Sequence, residues 1–381
     1  MNKELLYKEL EEWYEMNHRI LPWRETDDPY KIWISEIILQ QTRVAQGMEY
    51  YMRLVERFPD IQSLADAEED EVLLYWQGLG YYSRARNLHK AAQLMKDHEM
   101  FHQAKGDKEG DEAIRLKTRG EEIFAALKSM PGVGDYTAGA IASFAFDLPY
   151  PALDGNVYRV LARLLDCEIA FDTTEGKKHF RKLAEDLLDR EHPRLFNSAI
   201  MELGALHCVP TAPDCSTCPL NTWCKALAHN TVELLPVRKS RPKVRDRYLE
   251  YTIYITPEKT TLIHQRKGND IWKHLWEFVE TTSVDSLKND NIDNLRPNQH
   301  PRAPKGDNST QNYTTVHHST QPQAINLTHV LSHQKLHARF VIKNVSELPE
   351  IPDTLVVKLS DLDNYAFSRL TLKALSSLAL T

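Results

Sequence analysis

A chain of 381 residues with 42% hydrophobic and 27% charged residues is long enough for two domains with ordinary soluble cores. No stretch approaches the roughly 18 apolar residues of a membrane span, and the opening MNKELLYKELEEWYEMNH has no signal-peptide apolar segment, so the expectation is a cytoplasmic protein in a reducing compartment, with no membrane partner. The net charge of −7 argues at first against a nucleic-acid partner, but such binding depends on a local basic face rather than on the total.

Residues 1–229 carry a helical pattern. KIWISEIILQQTRVAQGMEYYMRLVERF, EEIFAALKSM, YTAGAIASFAF and VYRVLARLL each repeat apolar residues at helical spacing. Glu36 stands in WISEIIL among Trp33, Ile34, Ile37 and Ile38. An apolar pocket there would raise its pKa; the plainer reading is a surface carboxylate in a helix's first turn, stabilised by the dipole. A charged insert, KGDKEGDEAIRLKTRGEE (105–122), reads as an exposed loop or a loosely attached helix. SMPGVGDYTAGAI (129–141) reads as helix, tight turn, helix. Gly132 and Gly134 allow the sharp turn and leave amides open at the second helix's start, a ready phosphate site, although a bare helical hairpin has the same pattern. In PALDGNVYRVLARL, Asp154 precedes a helix whose dipole and open amides would keep it ionised, and a simple N-cap is an equally good description.

Four of the five cysteines are spaced Cys208-x6-Cys215-x2-Cys218-x5-Cys224. In a reducing compartment such clustering suggests metal ligation, and four thiolates can hold either tetrahedral zinc or an iron–sulfur cube; the single CxxC leans modestly to the cube. Cys167, alone in an apolar helical run, reads as a core residue. Next, PVRKSRPKVRDR (236–247) carries six Lys/Arg against one Asp and reads as a solvated linker (230–247) or a phosphate-contacting strap. LEYTIYITPEKTTLIHQRK then gives two strands around a turn, THVLSHQKLHARFVIKNV more strand, and DNYAFSRLTLKALSSLAL a closing helix. Residues 283–325, rich in Asn, Gln, His, Ser and Pro, read as a disordered loop. The layout is a mainly α domain (1–229), a linker, and a smaller α+β domain (248–381).

The hairpin motif, LDGNVYRVLAR and the cysteine spacing together resemble the endonuclease III superfamily of helix–hairpin–helix DNA base-excision glycosylases. LPWR (21–24), SEIILQQTRV (35–44), GLGYYSRARNL (78–88) and MELGA (201–205) resemble its MutY family, which acts on adenine. The resemblance spans residues 1–230 and implies that the four cysteines bind a structural [4Fe–4S] cluster. It implies a flipped-out base, with Glu36 as general acid and Asp154 stabilising an oxocarbenium-like sugar. Bifunctional relatives carry a Schiff-base lysine where this chain has Tyr136, so hydrolysis without strand cleavage is implied, with Asn156 positioning water or Asp154. Arg19, Trp23, Arg24, Leu39 and Glu202 would line the adenine pocket; Gln41, Leu79 and Tyr81 would enter the minor groove; Gly132 and Gly134 would meet phosphate. Residues 248–381 resemble, more faintly, a MutT-like lesion-reading domain. There a Phe-Ser-His loop recognises 8-oxoguanine, and here Leu331-Ser332-His333 stands in its place, without the acidic helix of a Nudix hydrolase. The implied partner is double-stranded DNA with adenine opposite 8-oxoguanine or guanine, bound by a monomer on the nucleoid. Other readings are a glycosylase for thymine or uracil opposite guanine, or a non-catalytic iron–sulfur damage-binding module.

Overall fold

The structure, a computed structural model, describes residues 2–101, 112–239, 244–281, 323–378 and 380. The chain divides near residue 241 into two compact units, the second also taking in Trp76–Tyr82.

The first unit is helical: α1 (Lys3–Asn17), α2 (Pro29–Leu39), α3 (Val44–Arg57), α4 (Ile61–Asp66), α5 (Glu69–Trp76), α6 (Ser83–Met95), α7 (Glu112–Ser129), α8 (Asp135–Phe146), α9 (Gly155–Leu165), α10 (Thr174–Leu187), α11 (Pro193–Leu206) and α12 (Lys225–His229). Helix starts follow local chemistry. Asp28 caps α2 through Tyr30 N at 3.0 Å with Pro29 in the first turn, and Asp60 and Ser63 form a capping box on α4. Tyr30 and Ile32–Ile38 of α2 are all buried, so it is a central helix, and it packs on α8. The long apolar run from residue 31 does not continue as one helix. It breaks at Gln40–Arg43, where Gln41 takes the left-handed conformation at φ 58°. A second core joins α1, α9, α10 and α11 through Leu6, Leu10, Val160, Leu161, Phe180, Ile200 and Leu203; Cys167 packs against it while staying half-buried.

Of the insert, residues 105–111 lie outside the described residues; from Glu112 the chain is already α7. The basic stretch is anchored at both described ends. Arg238 lies over the Phe171 ring at 5.2 Å and 3.9 Å from Asp172, while Arg245 already belongs to a strand and Arg247 pairs with Asp270 at 2.6 Å. Residues 240–243 between them lie outside the described residues.

The second unit holds β1 (Arg245–Ile255), β2 (Thr260–Gln265), β3 (Trp276–Glu280), β4 (Ala324–Val330), β5 (Gln334–Asn344), β6 (Thr354–Lys358) and α13 (Arg369–Ser377). Its mixed sheet runs β4-β5-β1-β3-β2-β6, with β1 and β5 parallel and the other pairs antiparallel. Alternate residues Leu249, Tyr251, Ile253, Leu336, Phe340 and Ile342 face a core closed by Leu370, Ala374 and Leu375 of α13. β1 and β2 flank a short turn as expected, yet β3 stands between them. Most of 283–325 lies outside the described residues, and its last two, Ala324 and Ile325, begin β4 rather than a loop.

Candidate active site

Glu36 sits in the third turn of α2, not the first, so the dipole explanation falls. The helix carries its side chain inward, to 4% exposure, where among the described residues it meets one donor, the Tyr136 hydroxyl at 2.7 Å from Oε2. Burial pushes the Glu36 carboxyl up to about 7; the Asp154 charge adds to this, and the Tyr136 hydrogen bond and Arg24 oppose it. Near neutral pH this acid therefore holds its proton in a large share of molecules. Burial, with the charges of Glu36 and Asp154, holds the Tyr136 phenol well above its ordinary range, so it remains a donor.

Asp154 is the N-cap of α9. Its carboxylate accepts from the backbone N–H groups of Asn156 (2.9 Å) and Val157 (2.8 Å) and from Asn156 Nδ2 (2.7 Å). Burial holds this carboxyl above the usual aspartate range, and those three donors with Arg159 offset only part of the rise. Three donors on two oxygens favour the anion. The pair is thus differentiated: one carboxyl with a single donor in an apolar wall, one saturated with donors at a helix start. Asn156 is fixed in turn. Its Oδ1 accepts from Arg159 Nη2 at 3.0 Å, and Arg159 reaches on to the carbonyls of Gly204 (2.6 Å) and Cys208 (2.7 Å). Gly204 permits this closeness, since a Cβ there would lie 2.7 Å from Asn156 Cβ.

Both carboxyls face one cavity of about 970 Å³, ample for a nucleobase and sugar. It gathers Arg19, Trp23, Arg24, Leu39, Gln41, Gly132, Gly134, Tyr136, Asn156 and Glu202 from the sequence expectations. Glu202, with no exposure, binds Arg19 through Nε (2.6 Å), Nη2 (2.8 Å) and the backbone N–H (3.0 Å), and Arg24 through Nη1 (2.9 Å). Burial alone would raise its carboxyl, yet the two guanidiniums hold it below the usual glutamate range. The clamp ties the LPWR loop to α11. Trp23 is buried edge-on to Tyr51 at 5.0 Å, forming wall rather than an open stacking plate. Gly132 takes φ 80° in the turn between α7 and α8, and Gly134 caps α8 with no side chain over its amides.

Leu79 and Tyr81 do not line this cavity; they group with the second unit. Tyr81 is half exposed at φ 47°, whereas Leu79 is buried, 7% exposed, and not presented to solvent as expected. Ser332 and His333 form the exposed tip of the β4–β5 hairpin, closed by Leu331 N–H to Gln334 O at 2.7 Å, while Leu331 packs back on the core of its own unit. Sequence reasoning missed Arg159, Arg163, Gln40 and Thr137. The first two were readable in part: two arginines four apart in the apolar run VYRVLARLL share one face, which marks a polar stripe without naming what it meets. Gln40, donating to Thr137 Oγ1 at 3.1 Å, offered no such signal.

The four clustered cysteines line one small cavity with Arg163 and Asn221. No three His, Cys, Asp or Glu side chains among the described residues converge as the ligands of a single metal ion would. Arg163, 2% exposed, fastens the loop by donating to the carbonyls of Val209 (2.7 Å), Pro210 (3.0 Å) and Val232 (3.0 Å), and Nη1 lies 3.4 Å from Cys208 Sγ. Burial, then the neighbouring sulfurs, push the Cys215 and Cys224 thiols up. Four sulfurs about one pocket are a donor set that fits a thiolate-ligated cluster.

Two family models match the chain: HhH-GPD superfamily base excision DNA repair protein over residues 34–189, and NUDIX domain over 250–377. Among curated relatives, adenine DNA glycosylase of Buchnera aphidicola subsp. Baizongia pistaciae is 34% identical over 74% of this chain and 75% of its own length. The rat adenine DNA glycosylase is 33% identical over 85% of this chain and 67% of its own, and the human one 39% over 56% and 38%. With that coverage, and with a helix–hairpin–helix unit followed by a NUDIX-like unit, the chain belongs to the adenine DNA glycosylases of base excision repair.

Proposed function

We propose that this glycosylase removes adenine opposite 8-oxoguanine or guanine by hydrolysis alone, and that the differentiated pair Glu36 and Asp154 carries the chemistry. The adenine nucleotide flips into the cavity beside Arg19, Trp23, Arg24, Leu39 and Glu202. Glu36 donates its proton to a ring nitrogen of the base as the N-glycosidic bond stretches, and Tyr136 keeps that carboxyl aimed. Asp154 stays anionic against the developing positive charge of the sugar, with Asn156 fixing its second oxygen, and water completes the reaction. The observation that carries this reading is that two carboxyls with opposite hydrogen-bond supply face the same cavity.

Tyr136 has no amine to attack the sugar. Borohydride should therefore trap no DNA adduct with the parent protein, and strands should stay intact until base is added. Strong cleavage by the parent protein would overturn the hydrolytic assignment.

Gln41 and Tyr81 are proposed to meet the duplex beside the opposing base, Gly132 and Gly134 a phosphate, and the Ser332–His333 tip to read 8-oxoguanine. Cys208, Cys215, Cys218 and Cys224 would hold a [4Fe–4S] cluster, whose binding energy would brace the 208–224 loop against α9. The monomer is the proposed unit of action. The deciding experiment measures single-turnover base release from duplexes with A:8-oxoG, A:G, T:G and U:G pairs. Adenine release alone is expected, fastest opposite 8-oxoguanine. Replacing both Ser332 and His333 by Ala should shrink the preference for 8-oxoguanine over guanine, by up to roughly tenfold for each lost hydrogen bond. Release of thymine or uracil at comparable rates would favour the broader mismatch reading, and an unchanged 8-oxoguanine preference would remove the hairpin tip as reader.

A further inference from the structure

We infer that Arg84, a buried arginine in the first turn of α6, is a positioning residue for duplex recognition: it sets the turn between α2 and α3 so that Gln41 is held toward the DNA. The inference rests on the assignment of Gln41 to the duplex proposed above.

The end of a helix leaves its last carbonyls without partners. At the end of α2 every one of them is accounted for. Arg84 Nη1 donates to Ile37 O at 2.9 Å, Ile38 O at 2.7 Å and Gln40 O at 2.6 Å, and the Leu39 carbonyl accepts from Thr42 N–H at 3.2 Å. Both terminal nitrogens of Arg84 also lie 3.3 Å from Thr42 Oγ1. One guanidinium thus grips both sides of residue 41 from a site only 7% exposed. A cation at a helix C-terminus is also in the favourable end of the dipole.

Gln41, in the middle of that grip, stands at φ 58°, a conformation uncommon for residues with a Cβ. Such a conformation persists only when its surroundings over-determine it. All three carbonyls meet the one nitrogen Nη1, whose place the rigid guanidinium plane fixes while Nη2 reaches Thr42; a lysine ammonium on its flexible stem has no such second anchor. The neighbouring Gln40 is itself tied across to Thr137, so the turn has little other freedom, and Gln41 is left exposed at the rim of the cavity. Arg84 is absent from the cavity lining; its effect passes through the backbone of residues 37–42.

The test is a double-mutant cycle read as affinity for a duplex carrying uncleavable 2′-fluoro-2′-deoxyadenosine opposite 8-oxoguanine. Gln41→Ala and Arg84→Met are each expected to weaken binding about tenfold, and the double variant to be no more than about twofold worse than the weaker single, because both remove the same contact. Single-turnover release by Arg84→Lys at saturating normal duplex should change by less than about threefold while its affinity falls, a split that general unfolding would not give. Should Arg84→Met not fold, the cycle is run with Arg84→Lys. If Gln41→Ala weakens binding but the Arg84 variants bind like the parent, or if the two effects multiply, the inference is overturned while the role of Gln41 stands. If Gln41→Ala binds like the parent, the duplex assignment of Gln41 falls, and this inference with it.

Discussion

Glu36→Gln should release adenine at least about a hundredfold more slowly than the parent while binding the same duplex nearly as well, since the amide keeps the shape and the Tyr136 contact but carries no acidic proton. Single-turnover release and duplex affinity, measured side by side, check this. A variant within about threefold of the parent would remove Glu36 as the acid. The pH profile supplies a second arm. With the carboxyl pushed up to about 7, the competent protonated form declines as pH rises through that value, so release by the parent should fall on the alkaline side. The same shift has a stability signature. The folded protein binds this proton more tightly than the unfolded chain, so folding is penalised increasingly from pH 4.5 upward and in full above about 7. The penalty is on the order of 3 kcal/mol, and Glu36→Gln should therefore melt higher than the parent at pH 8 but not at pH 4.

Cys215→Ser should cost the fold as well as the reaction. The loop from 208 to 224 has little regular structure of its own, one 3-10 turn at Asn221–Trp223, and leans on Arg159 and Arg163. Structural metal sites contribute on the order of 10 kcal/mol to small folds, and even a partial loss should lower the thermal midpoint by about 10 °C or more. Iron content, visible absorbance and the melt should fall together. Cys167→Ser, which touches core rather than the cysteine pocket, should leave the iron in place. Stoichiometric zinc without iron in anaerobically prepared protein would refute the cluster.

Much of the site could be read from the sequence because its residues are tied to local signals. Asp154 is an N-cap and reads as one; the hairpin glycines mark a turn that needs a positive φ; the four cysteines announce themselves by spacing. Glu36 was legible by its apolar neighbours, although its place in the helix was not, because Asp28 and Pro29 start α2 earlier than the apolar run suggests. What the sequence hid was long-range. Arg84 grips a turn more than forty positions away, Arg159 reaches the cysteine loop, and Leu79 is buried in spite of its glycine neighbours. Partners of that kind depend on tertiary packing, for which periodicity carries no signal. In the second unit the strands were visible but their order was not, since alternation marks a half-buried strand without naming its neighbour.

That strand order bears on how the second unit forms. β1 and β2 are joined by a turn short enough to zip into a hairpin, yet the finished sheet keeps them apart with β3. The longest ladder runs instead from Arg245 to Gln334 and onward to Ile255 opposite Asn344, between segments far apart in the chain. The β2–β3 and β4–β5 hairpins can close locally, but joining them through the β1–β5 ladder closes a large loop, a step with no counterpart in a helix and one that slows folding. On the ribosome β1 emerges long before β5, so the edge that β5 covers stays open until that later segment arrives, and an open strand edge invites misassociation.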